Sequence, residues 1–128
     1  MKKTMIAKTL AVGGLIALGS GVAYAGPIWA SYDTTVGKFN GSGYTSYQTK
    51  TYDSAAGGVS SRTVGGSYTV DVRMNSADGN GSWARALNDN DSRNLSNSIH
   101  KGNSTRLQFS NNLNTPVNVQ VTGSWRSN

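Results

Sequence analysis

The chain has 128 residues, no cysteine, and twelve Lys and Arg against six acidic residues, all of them Asp. That length fits one domain with a modest core, and the missing cysteines exclude disulfides and thiolate metal sites. The formal charge of +6 is spread along the chain without a basic run, which gives no more than mild attraction to an anionic surface such as a bacterial envelope.

Residues 1–25 read as a secretory signal peptide. Lys2, Lys3 and Lys8 supply the positive region, Thr9 to Leu18 the short apolar stretch, and Ala23-Tyr24-Ala25 a small-x-small cleavage site. The apolar stretch falls short of the roughly 20 residues that span a bilayer. The expected product is one secreted, extracellular domain over residues 26–128, with no transmembrane segment after signal cleavage. Without the three signal lysines, the excess of basic over acidic residues falls to three.

The remaining chain is rich in Ser, Thr, Gly, Asn and Tyr, which favours strands over helices. Ala30, Tyr32, Thr34 and Val36 alternate with Ser31, Asp33 and Thr35 as a first strand. A Gly-rich loop at 37–43 leads to an extended Thr/Tyr run, in which Tyr44 and Tyr52 fall on one face and Tyr47 on the other. After a break at 54–58, Val59 to Val64 reads as a strand, and Gly65-Gly66 signals a hairpin. Tyr68, Val70, Val72 and Met74 alternate with polar partners, and Asp78-Gly79-Asn80-Gly81 then has turn chemistry. Trp83 and Leu87 are expected to point inward. The polar stretch 88–103 offers one helical turn between Leu95 and Ile99. The clearest pattern comes last, where Thr105, Leu107 and Phe109, and then Val117, Val119, Val121, Gly123 and Trp125, alternate with polar residues. Residues 104–126 are expected to form a hairpin with one buried face, its second strand opening at Pro116. Turn signals about ten residues apart predict an all-β, small antiparallel β-sandwich of about six to eight strands.

Few groups suit catalysis. His100 is the sole histidine and sits in a polar loop beside Lys101 and Gly102, and no Gly-x-Ser-x-Gly elbow is present. Asp89 and Asp91 read as a solvated turn. Asp78, Asn80 and Ser82 repeat like calcium-loop ligands, but no bidentate carboxylate follows. No enzyme activity, metal site or cofactor is expected. The aromatic residues say more. Trp29, Tyr32, Tyr44, Tyr47 and Tyr52 gather in the first third, where they either form a recognition platform for sugars or lipid headgroups or fill a core poor in Leu and Ile. Lys38, Lys50 and Arg62 lie near them and add attraction to phosphate. Trp83 and Trp125 are assigned to the core. No nucleic-acid motif accompanies these residues.

With its leader, Tyr/Thr-rich first strand, mid-chain Trp and the ending Val119-Gln120-Val121-Thr122-Gly123-Ser124-Trp125, the chain resembles small secreted proteins of Gram-positive bacteria, some of unknown function. More faintly, Trp29, Tyr44-Thr45-Ser46-Tyr47, Trp83-Ala84-Arg85-Ala86 and Arg93-Asn94-Leu95-Ser96 are similar to stretches of the lactococcin-type bacteriocins, which are cysteine-free β-sandwiches. That resemblance implies action at the envelope of other bacteria, through binding of a cell-wall precursor without catalysis. The expected function is thus a secreted, bacteriocin-like protein that binds a cell-envelope component. The alternative is a structural or self-associating surface protein, whose Ser/Thr/Asn/Tyr-rich edge strands pair between molecules.

Overall fold

Period-two alternation gives each long strand one apolar face, and two sheets bury these faces against each other. The computed structural model describes residues 24–128. Apart from Tyr24 and Ala25, the expected signal peptide lies outside the described residues. The strands are β1 (Tyr24–Ala25), β2 (Ala30–Val36), β3 (Ser42–Tyr44), β4 (Gln48–Thr49), β5 (Gly57–Val64), β6 (Val70–Ser76), β7 (Gly79–Asn80), β8 (Ala84–Leu87), β9 (Ser92–Leu95), β10 (Ser104–Asn111) and β11 (Val119–Arg126). Seven of these eleven are four residues or longer, and no helix occurs among the described residues. The protein is an all-β sandwich.

Sheet A has the order β1-β4-β10-β6-β7, with β3 also paired to β10 and β8 to β6; sheet B has the order β2-β11-β5-β9. Every pair is antiparallel except β1 with β4. Between the sheets lies one core, built from Tyr32, Val36, Val59, Val64, Val70, Val72, Met74, Leu87, Leu95, Ile99, Leu107, Phe109, Val119, Val121 and Trp125.

The two C-terminal strands occupy central positions as their patterns suggest, but they do not form the expected hairpin. β10 lies inside sheet A and β11 inside sheet B. Alternation says which side chains are buried, not which strand lies alongside. Here the two apolar faces meet across the core, joined by an arch over residues 112–118. The arch is held to the 38–41 loop by Phe39 N donating to Thr115 O (2.8 Å) and Lys38 N to Asn118 Oδ1 (3.0 Å). Asn111 spans the two layers, its Nδ2 donating to Val36 O (3.1 Å) and Gly37 O (2.8 Å). Since residues 116–118 belong to this arch, the strand starts at Val119 rather than Pro116, and Val117 is exposed. Gly65-Gly66 is likewise an arch, from β5 in sheet B to β6 in sheet A. A tight hairpin does form at Ala77-Asp78, where β6 returns as β7 with Ser76 opposite Gly79.

The helical turn expected between Leu95 and Ile99 is absent, although both residues are buried. Asn97 takes over the local hydrogen bonding: its Nδ2 donates to Ala55 O (2.9 Å) and Leu95 O (3.1 Å), and its Oδ1 accepts from Ile99 N (3.1 Å). An Asn side chain that satisfies its own backbone neighbourhood competes with helix formation.

One glycine in the centre of sheet B has no room for a side chain. A Cβ on Gly123 would press into the Ser60 carbonyl and lie 2.7 Å from the Tyr32 hydroxyl, at the point where β11 shifts register against β5. Gly123→Ala should therefore cost on the order of 1–3 kcal/mol, as overpacking of a well-packed site does. Urea denaturation checks this. An unchanged midpoint would mean that the strands move apart without cost.

Candidate functional site

The outer face of sheet A is set by the polar positions of its two long strands. Arg73 and Asn75 on β6 point away from the core beside Arg106 and Gln108 on β10, with Gln108 opposite Arg73 and Arg106 opposite Asn75. Each arginine is tied by its Nε: Arg73 to Gln108 Oε1 at 2.8 Å and Arg106 to Asn75 Oδ1 at 2.9 Å. Both guanidinium groups also lie over aromatic rings. Arg106 sits 3.9 Å from the Tyr44 centroid and 5.0 Å from that of Tyr47, and Arg73 sits 4.4 Å from the Trp83 ring. Arg85 approaches the same indole at 5.5 Å while it pairs with Asp71 at 2.7 Å. Arginine stacked on a ring and bonded through Nε keeps its terminal nitrogens free for an anion in a fixed orientation.

Tyr44 and Tyr47 share this face, although a continuous strand would place them on opposite sides. The strand is broken between them: Thr45 points inward, where its Oγ1 accepts from Leu107 N at 2.9 Å, and Ser46 and Tyr47 are then exposed in succession. Trp83 is corrected as well. It is only partly buried and belongs to the arginine face, whereas Trp125 is 1% exposed and central to the core.

Other nominated residues are placed differently. Tyr32 lies in the core, tilted against Phe109 with ring centroids 5.1 Å apart, and burial pushes its phenol up to about 12. It cannot serve a surface platform. Lys50 is also buried: its Nζ donates to Ala55 O (2.7 Å) and Ser127 O (3.1 Å). Burial lowers its pKa, against the opposing charge of Asp53. Two residues before it, Gln48 donates to Ile28 O and Trp125 O, both at 3.1 Å, and accepts from Ser127 N at 2.7 Å. Both long polar side chains thus satisfy backbone groups near the end of β11 instead of meeting a phosphate. Tyr52 and Lys38 are exposed, and Lys38 stacks on Phe39 at 5.9 Å. Trp29 and Arg62 lie on the opposite sheet, where Arg126 stacks on the Trp29 ring at 4.7 Å.

No family, curated protein or solved structure matches this chain. The geometry alone therefore has to carry the functional reading. It brings Tyr44 and Tyr47 together and adds Arg73, Trp83, Arg85 and Arg106, which the sequence reading left out. The signal for Arg73 and Arg106 was available: each is the polar position between buried neighbours in a cleanly alternating strand.

His100 forms a surface clasp. Its Nδ1 lies 2.9 Å from Asp78 Oδ2, which also accepts its backbone N–H at 2.8 Å, and its side chain is 70% exposed. These bonds raise the imidazole above its ordinary 6.5 and hold the Asp78 carboxyl below 3.8. The raised His100 value means that this contribution to stability is complete below pH 6.5 and is lost as pH rises through the folded-state value. The lowered Asp78 value means that it is also lost in acid. The melting temperature should therefore decline slightly from pH 6 to pH 8, and His100→Gln should flatten that slope. An identical slope in the variant would show that other groups set it. Among the described residues no group of three or more His, Asp or Glu side chains is placed to hold a metal ion.

Proposed function

We propose that the chain is a secreted, non-enzymatic, bacteriocin-like protein that binds an anionic component of the bacterial envelope through the outer face of sheet A. The observation that carries this reading is the pair Arg73 and Arg106, each stacked on an aromatic ring and, among the described residues, each tied only through Nε. Guanidinium groups in that state suit phosphate or carboxylate oxygens, which accept two N–H groups of the planar fork. Tyr44, Tyr47 and Trp83 add apolar ring surface beside the charges, as a ligand with both sugar and phosphate parts requires. The charge on this face is three arginines against Asp71, which Arg85 already occupies.

Co-sedimentation of the purified protein with whole Gram-positive cells, followed by plating for survivors, tests the reading. The expected result is binding that weakens with added salt, accompanied by loss of viability. Binding without killing would leave the envelope contact and remove the bacteriocin role. Absence of binding to every strain would overturn both.

A further inference from the structure

We infer that the outer face of sheet B carries a second site, a trough that binds an oligosaccharide. This goes beyond the anion-binding face of sheet A and uses none of its residues. Four serines form one row across the whole sheet: Ser31 is opposite Ser124, Ser124 opposite Ser60, and Ser60 opposite Ser92. On one side of the row is a groove of about 450 Å³ containing Trp29, Gly58, Asn94 and Arg126; on the other is a groove of about 320 Å³ containing Ser61, Arg62 and Asn90. Both grooves include Ser60 and Ser124, so they run into each other over the serine row. From Gly58 to Arg62 the trough follows β5 for about 13 Å at the usual rise per strand residue.

The wall at one end is a ring held flat against the sheet. Arg126 covers one part of the Trp29 indole, and a Cβ on Gly58 would meet its Cη2 at 3.0 Å, so the indole rests where a side chain would otherwise stand. The indole nevertheless remains 45% exposed. Along the floor, a hydrogen-bonding group is left over. Arg126 Nε, on an outward side chain, is buried without a partner, and an unpartnered buried donor normally indicates a group that something else satisfies. The adjacent threonine row differs, because Thr63 and Thr122 bond each other at 2.6 Å.

The lining decides the ligand class. It is rich in hydroxyls and amides and has a single large ring, so it does not suit a lipid tail. Its charges form no continuous polyanion track: Arg93 is already bonded to Asp91 (2.8 Å) and to the carbonyls of Arg85 (2.8 Å) and Ala86 (3.2 Å), which leaves Arg126, stacked on Trp29, in one groove and Arg62 in the other. A pyranose chain offers what remains: an apolar ring face for Trp29 and a line of hydroxyls for the serine row.

The test is amide NMR of the full chain titrated with a panel of neutral tetrasaccharides (N-acetylchitotetraose, maltotetraose and mannotetraose) and, separately, with inorganic phosphate. At least one tetrasaccharide should give saturable shifts, with a millimolar or tighter Kd, confined to the outer positions of β5, β9 and β11 and to the Trp29 indole N–H. Trp29→Ala should weaken that binding by about tenfold, the loss of one stacking contact. Ser60→Val, which suits a strand but fills the trough, should abolish it. R73Q/R106Q should leave it intact, which separates this site from the face on sheet A. Three results would overturn the inference: no shift with any sugar, shifts that map to sheet A, or the same shifts with phosphate alone.

Discussion

Trp125→Ala should lower the melting temperature of the domain by on the order of 15 °C or more. Trp125 is the largest fully buried side chain and stands near the end of β11, opposite Ala30 on β2 and Val59 on β5. Truncation of a buried Trp typically costs about 3–5 kcal/mol, from lost burial and from the cavity left behind. In a domain near 100 residues, each kcal/mol shifts the midpoint by roughly 4–8 °C. The site cannot collapse readily, because its backbone is pinned: the Trp125 carbonyl accepts from Gln48 Nε2 at 3.1 Å, and the next but one N–H, of Ser127, donates to Gln48 Oε1 at 2.7 Å. Thermal melts followed by circular dichroism measure the effect. Trp83→Ala provides the contrast. It removes a partly exposed ring held between two arginines and should shift the midpoint by only a few degrees. A shift below about 5 °C for Trp125→Ala would mean that this end of the core tolerates a cavity, contrary to the usual cost.

What could be read from the chain divides along the range of the interactions. The buried faces of β6, β10 and β11 follow from side chains two residues apart, so the core residues of these three strands were legible, whereas Tyr32 and Trp83 were each assigned to the wrong side. Which sheet each strand joins was not, because Gly65-Gly66 and the Asn-rich run before Pro116 serve an arch as well as a hairpin. Local turn chemistry marks where the chain bends, and only the competition among apolar faces decides whether it turns within a layer or crosses between layers. Tyr47 shows the cost of one irregular residue. Thr45 faces inward to Leu107 N, 62 positions away, and the extra outward residue at Ser46-Tyr47 then reverses the phase from Tyr47 to Lys50. Gln48 and Lys50 then point inward to carbonyls 77 positions on. Their hydrophilic character suggested a surface, yet a long polar side chain is at home in a core wherever backbone oxygens need donors.

The second large effect is expected at Arg73 and Arg106. R73Q/R106Q should reduce binding to Gram-positive cells by on the order of 100-fold or more, since each charge-assisted hydrogen bond to an anion contributes about 1.5–3 kcal/mol. Glutamine keeps the polar surface and much of the length of the side chain, so stability should change little: both arginines stand on the solvent side of their strands, and their Nε bonds are partly exposed. The salt dependence is the more discriminating readout. If both guanidinium groups contact anionic groups of the ligand, the slope of log affinity against log salt should fall by about one for each arginine removed. A structural role for the pair predicts a different outcome, with lower stability and an unchanged slope. R73K/R106K separates charge from geometry. Lysine restores the charge, but it lacks both the planar fork and the stacking on Tyr44 and Trp83, so partial recovery of the salt slope without recovery of affinity is expected. Full recovery by lysine would mean that only net charge matters and that the stacked, Nε-tied orientation has no part in recognition.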